Sequence, residues 1–293
     1  MGDFNMTTKI QKTVLILVAL TMLSVNPAWA VRPFITDDAT LIGKRRAEVA
    51  NWFYANRDAV EVWHSLNYGV TDWFEINLLV QHGILHSDVA DKWRYAWTAP
   101  LLQTKFLLRD YELNSIIPGI TFAIGSDLPF GNEPFRRYGD TETAFKAPGH
   151  GAFAFFSTTH SIGMEEQVMI HTSLGWTWLH NRDEAVAAGE PRNVHGLIWG
   201  VGTQFTTGLR NLYGIAELIS GDPYMREASG IAYQLGLRYF VNDYFQWDIA
   251  FGQGLGGGEQ LRDYAWISGG FRWVLNFDRN SNREFSKNNR RIR

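Results

Sequence analysis

The sequence holds no cysteine. Disulfides, thiolate nucleophiles and thiolate metal sites are therefore excluded, and a secreted chain of this kind must hold together without cross-links. Net charge is also scarce, since 27 Lys and Arg stand against 30 Asp and Glu, giving −3. That balance argues for neither nucleic acid nor a polyanionic partner. No apolar window reaches the roughly 20 residues that a membrane-spanning helix requires. Proline is sparse at 9 residues, beside 28 glycines, which suits sheets with tight turns better than helices. Aromatics are plentiful: 14% of residues, including 12 tryptophans. Tryptophan concentrates where one end of a side chain is apolar and the other wet, as at a membrane interface.

The N-terminus carries Lys9 and Lys12, an apolar stretch from Val14 to Leu23, and then Ala28-Trp29-Ala30. A positive region, a short apolar region and small residues at an A-x-A site read as a secretory signal peptide, residues 1–30, cleaved after Ala30. An uncleaved interfacial helix is the alternative, and Met6 is a plausible start beside Met1. The expected mature chain then opens with "RPFITDDA", Arg32 to Ala39.

Beyond that point helical periodicity is rare and period-2 alternation recurs. In "QVMIHTSLGWTW", Val168, Ile170, Thr172, Leu174, Trp176 and Trp178 fall on one face, opposite Gln167, His171 and Ser173. In "YFQWDIAFG", Phe245, Trp247, Ile249 and Phe251 oppose Gln246 and Asp248. "IAYQLGLRYFV" sets Leu235, Leu237 and Tyr239 against Gln234 and Arg238. Successive strand side chains point to opposite faces, so each segment has one oily and one polar face. A secreted β-sandwich or lectin-like domain would also have such faces. The segments, however, run to about 9–14 residues, the length a tilted strand needs to cross a bilayer.

Twelve strands are expected, at 45–57, 59–71, 73–84, 93–109, 113–127, 150–161, 165–180, 194–209, 211–221, 229–241, 243–253 and 264–277. The first, sixth and ninth alternate too poorly for their faces to be assigned. Connections alternate between short and long. An even number of antiparallel strands with short turns on one side and long loops on the other is the pattern of a transmembrane antiparallel β-barrel, all-β, with both termini periplasmic. The expected organisation is a periplasmic leader at 31–44, a barrel at 45–277 and a polar tail at 278–293, too poor in apolar residues to fold.

"RPFITDDA" resembles the mature start of the outer-membrane proteins grouped as the meta-pathway phenol-degradation family. "LNYGVTDWFEINL", Leu66 to Leu78, resembles their recurrent hairpin, and "LYGIAELISGD", Leu212 to Asp222, a later strand of theirs. The resemblance implies a barrel that passes small, often hydrophobic or aromatic compounds. Ser268, Gly270, Trp273 and Leu275 resemble the terminal-strand signal that the barrel insertase reads, which implies that insertase as a partner, with outer-membrane lipid around the wall.

The polar faces collect candidate lumen residues: Glu61, Glu75, Gln103, Lys105, Arg109, His171, Gln204, Arg238, Gln246, Asp248 and Arg272. Both charge signs occur, so no single-sign ion filter is indicated. They describe either a narrow polar path or a lumen closed by its own pairs, because an ionised group away from water needs a partner. Arg32, Asp37 and Asp38 are expected to tuck into the periplasmic mouth as a latch, with Arg109 the nearest partner and Arg238 and Arg272 the others. A solvated leader is the alternative.

Catalysis, metals and cofactors find little support. His171-Thr172-Ser173 matches the His-x-Ser pair of outer-membrane lipid hydrolases, but both polar residues fall on the inward face, and the Ser-Asn-Gly context is absent. Asp37-Asp38 and "GDTET" read as solvated charge rather than calcium ligands, and the scattered histidines lack ligand spacing. "GLGGGEQ" does not join a strand to a helix, so it is no phosphate loop. The function expected is passive transfer of a small solute across a Gram-negative outer membrane. A closed barrel with a structural, adhesive or sensing role is the second reading, and a lipid hydrolase the third.

Overall fold

The computed structural model describes residues 35–57, 59–87, 92–97, 99–112, 115–128, 150–162, 167–180, 186, 191–222, 227–256 and 265–277. The expected signal peptide, Arg32, "GDTET", most of "GLGGGEQ" and the tail from 278 lie outside the described residues. Thirteen strand segments occur among those described: β1 Arg46–Asn56, β2 Ala59–Thr71, β3 Phe74–Ser87, β4 Lys92–Trp97, β5 Leu101–Arg109, β6 Gly119–Asp127, β7 His150–Ile162, β8 Val168–His180, β9 Asn193–Thr206, β10 Leu212–Asp222, β11 Glu227–Asn242, β12 Phe245–Gly256 and β13 Ala265–Asn276.

Neighbours pair antiparallel throughout, and β1 pairs with β2 on one side and β13 on the other, so the sheet closes on itself. The wall has twelve strands because β4 and β5 are two halves of one. Both lie against β3, β4 along its far half and β5 along its near half. The break falls at Pro100, which has no N–H to give to the ladder; its carbonyl instead accepts from Leu128 N at 2.8 Å. Closing the first strand on the last is how a β-chain pairs its backbone in hydrocarbon.

Two boundaries differ from expectation for local reasons. The strand expected from residue 113 starts at Gly119, directly after Pro118. The strand expected to reach 209 stops at Thr206, because the 207–211 turn bends through Gly208 and Asn211 at φ of +83° and +63°.

The outward face is apolar, with Leu197 63% and Phe251 48% exposed. Trp73 and Phe106 stack near the short turns, and Tyr239 lies against Trp247. The inward face is of two kinds. Toward the short turns it is polar. Toward the long loops it is aromatic, where Trp52 stacks on Trp63 at 5.5 Å, Phe153 on Phe155 at 5.8 Å, and Tyr54 meets Trp266 at 5.7 Å. Glycine makes this layer possible. Trp52 lies opposite Gly270, Phe153 opposite Gly125, Phe155 opposite Gly175 and Trp266 opposite Gly252. A Cβ on any of these glycines would sit 2.2–2.4 Å from its aromatic neighbour, so only a bare backbone lets each ring lie along the wall.

Candidate functional site

The segment before β1 occupies the lumen. At the short-turn end Arg45 N donates to Gly69 O at 2.8 Å, and Phe277 N donates to Arg45 O at 3.2 Å. The chain then turns inward at Gly43, whose φ is +86°. Its carbonyl oxygen lies 1.9 Å from where a Cβ on Gly69 would be, so residue 69 must be glycine for the entry to exist.

Inside, residues 35–42 have no strand to pair with, yet a buried N–H must be satisfied. Wall side chains accept these bonds. Ile42 N donates to Glu75 Oε2 at 2.9 Å, and Ala39 N to Thr159 Oγ1 at 2.8 Å. Asp37 N donates to Ser173 Oγ at 3.1 Å. Ile35 N and Thr36 N donate to the two oxygens of Glu217, each at 2.9 Å, and Gln234 Nε2 adds a third donor to that carboxylate at 2.6 Å. Ala39 is 0% exposed. Thr36 fits only because residue 200 is glycine, where a Cβ would fall 2.3 Å from Thr36 Oγ1. Ile35 packs on the Tyr54, Ile219, Ala232 and Trp266 cluster. The segment therefore runs past the mouth to the border of the aromatic layer, deeper than a latch at the entrance.

Charge pairing follows a different partner from the one expected. Lys105 Nζ lies 3.1 Å from Asp37 Oδ2 and 3.4 Å from Asp38 Oδ1. Asp38 also accepts from Thr40 N and Thr40 Oγ1. Burial alone would raise the Asp38 pKa, but Lys105, with His171, Arg272 and the Thr40 hydroxyl, holds it well below the usual carboxylate range. Arg109 plays no such part. A β-bulge between Leu107 and Arg109 sets Leu107 opposite inward-facing Thr121 and Arg109 opposite Ile120. The extra residue moves Arg109 to the outward face, so it belongs neither to the lumen nor to the leader.

The other candidate residues do point inward, where they meet one another or neighbouring wall residues. Arg238 grips Asp248 through Nε and Nη2 at 2.9 and 3.1 Å and reaches Gln204 at 2.8 Å, while Gln246 donates to Asp248 at 3.3 Å. Arg272 pairs with Glu48 at 2.6 Å. Gln103 accepts from Asn77 at 3.3 Å. His171 Nδ1 contacts Thr159 at 3.0 Å. Glu61, 0% exposed, accepts from Gln81 at 2.7 Å and Trp63 Nε1 at 3.2 Å. Open space remains toward the short turns, a cavity of about 300 Å³ among Tyr213, Phe240, Tyr244, His171, Arg238 and Arg272.

Sequence reasoning passed over Glu48, Glu217 and Thr159. Glu217 carried a readable signal, because it is the one acid inside the otherwise apolar run "YGIAELIS". Ser173 is the serine of the His-x-Ser pair. Here its hydroxyl is shared by Ser157 at 3.1 Å and the leader backbone.

No protein-family profile and no curated protein sequence matches the chain. Solved structures do resemble it. The COG4313 outer membrane channel from Pseudomonas putida F1 superposes with a TM-score of 0.56 at 11% identity, covering 86% of this chain and 100% of that one. The KdgM porin gives 0.51 at 7% identity, covering 78% and 99%. The same porin in complex with disordered oligogalacturonate gives 0.50 at 7% identity, again over 78% and 99%. At such identities the likeness is one of fold. The chain is a closed, twelve-stranded barrel of the kind that spans the Gram-negative outer membrane.

Proposed function

We propose that this barrel passes a small solute of partly apolar or aromatic character passively across the outer membrane, with its short-turn end toward the periplasm. The division of the lumen carries this reading. An aromatic layer near the long loops gives onto a polar half with a cavity of about 300 Å³. Two such halves in series suit a compound with one oily and one hydrogen-bonding end. Residues 35–42 stand in the path. They are held by side-chain bonds and one lysine rather than by strand pairing, so they can shift without opening the wall. A channel and a porin among the structural neighbours support the passive reading. The resemblance of "RPFITDDA" to the phenol-degradation family supports an aromatic solute, and Ile35 to Ala39 of that octapeptide are the residues held inside.

A closed barrel with a structural, adhesive or sensing role is the second reading, favoured by the occupied and internally paired lumen. Conductance in planar bilayers, with proteoliposome uptake of a poorly lipid-permeant phenyl glycoside against a plain disaccharide and protein-free liposomes as the blank, separates the two. Wild type and a variant lacking residues 31–42 should both pass current, the variant more, and both should prefer the aromatic solute. Silence from both would sink the channel. A hydrolase is disfavoured because His171 and Ser173 face inward and hold Thr159, Ser157 and the leader.

A further inference from the structure

We propose that Asn51, His64 and His82 form a site for a divalent late transition-metal ion, Cu²⁺ foremost, on the outer wall of the barrel. The three residues come from adjacent strands. Asn51 on β1 lies directly opposite His64 on β2, and His82 on β3 lies opposite Val62, one outward position along. They form a polar island on an apolar face, with Val62 and Leu66 flanking His64 on its own strand.

The island is ordered as a chelate requires. His64 Nδ1 contacts Asn51 Oδ1. An amide oxygen only accepts, so Nδ1 carries the hydrogen and Nε2 keeps its lone pair. That Nε2 faces His82 Nε2 at 3.0 Å, with the two rings near-coplanar at 18°. A histidine fixed by an oxygen partner on one nitrogen has the lone pair of the other oriented as a metal ligand's is. Tyr95 packs against His82 at 5.9 Å and steadies the second ring.

The ligand type selects the ion. The 3.0 Å between the two nitrogens is the length of their hydrogen bond, and once that hydrogen leaves, both can reach one ion at the roughly 2.0–2.1 Å of an imidazole–metal bond. Copper(II) accepts imidazole ligands and has the highest affinity of the divalent series. Without the ion, His82 donates Nε2–H to His64. On binding, His82 moves its hydrogen to Nδ1, both Nε2 lone pairs turn to the ion, and no proton is released.

The test uses the full chain in detergent micelles, purified without a histidine tag and titrated with Cu²⁺. We expect one tight equivalent whose electron paramagnetic resonance shows coupling to two nitrogens. His64→Ala and His82→Ala should each abolish that two-nitrogen signal while the protein keeps its heat-modifiable, folded mobility. Asn51→Ala should weaken binding about 10- to 100-fold with the two-nitrogen signal retained at saturating metal. A two-nitrogen signal that survives in the His64→Ala/His82→Ala double variant overturns the site, as does its absence from wild type. Wild-type affinity in Asn51→Ala overturns the orienting role of Asn51.

Discussion

Replacing Glu217 with Gln tests whether the inner segment is held as the hydrogen bonds indicate. Three N–H donors converge on this one carboxylate, from Ile35 and Thr36 at 2.9 Å and from Gln234 at 2.6 Å. Only an acceptor without hydrogens satisfies all three. Glutamine presents one oxygen and one NH₂, so at least one leader N–H must face a donor, and the bonds that remain lose their ionic character. Hydrogen bonds to a charged group are worth about 1.5–3 kcal/mol each. Losing one and weakening another should cost the docked state about 2–3 kcal/mol, which is about 30- to 140-fold in its equilibrium at ~1.4 kcal/mol per decade. Amide hydrogen exchange reads this directly. Protection at Ile35, Thr36 and Asp37 should fall by that factor, while amides in the β10–β11 ladder keep theirs. Wild-type protection at residues 35–37 would mean that the carboxylate does not hold the segment, and the account of the lumen would fail.

Four further outcomes are expected. In this cysteine-free chain, a cysteine at Gln246 should react with a water-soluble maleimide faster than one at Trp247, because Gln246 faces the lumen and Trp247 the lipid; the reverse order would invert β12. Gly252→Val should impair barrel formation, since a Cβ there meets Trp266 at 2.2 Å, whereas Gly256→Ala, with nothing within 4 Å, should fold as wild type; electrophoretic heat-modifiability distinguishes them. Asp38→Asn should loosen the leader and raise conductance, whereas Arg109→Ala should change neither. The Asp38 carboxyl titrates below its ordinary range in the folded protein, so its contribution is present above the unfolded value of about 4 and lost only in stronger acid. The difference between wild type and Asp38→Asn in leader protection should therefore persist from pH 7 down to pH 4; its disappearance by pH 5 would contradict the Lys105 pairing. Finally, we propose that Ser268, Gly270, Trp273 and Leu275 engage the barrel insertase and that residues 278–293 are dispensable. Deleting the tail should leave an inserted barrel, and Trp273→Asp should not; failure of the tail deletion to insert would refute this.

The barrel itself was legible because alternation is a local property. Wherever a strand sets Leu, Ile or Trp against Gln, Arg or Asp, as β11 and β12 do, the two faces and the inward residues Gln234, Arg238, Gln246 and Asp248 follow from the sequence alone. Counting the candidate segments gives twelve, and their alternately short and long connections give the barrel pattern. The reading failed where the lumen is itself apolar. In β1 and β7 the inward positions are Trp52, Tyr54, Phe153 and Phe155, so both faces look oily and no alternation survives. That these rings turn inward depends on glycines in neighbouring strands, at 270, 125 and 175, and on no residue near them in sequence. Arg109 was misplaced because one extra residue in β5 reverses the face, and nothing in "KFLLRD" marks the bulge. The path of residues 35–42 lay furthest from reach. Sequence showed two aspartates that needed a cation. Only the closed barrel decided that the cation is Lys105 and that the segment threads inward, because closure brings Glu75, Thr159, Ser173 and Glu217, from four separate strands, around one length of chain.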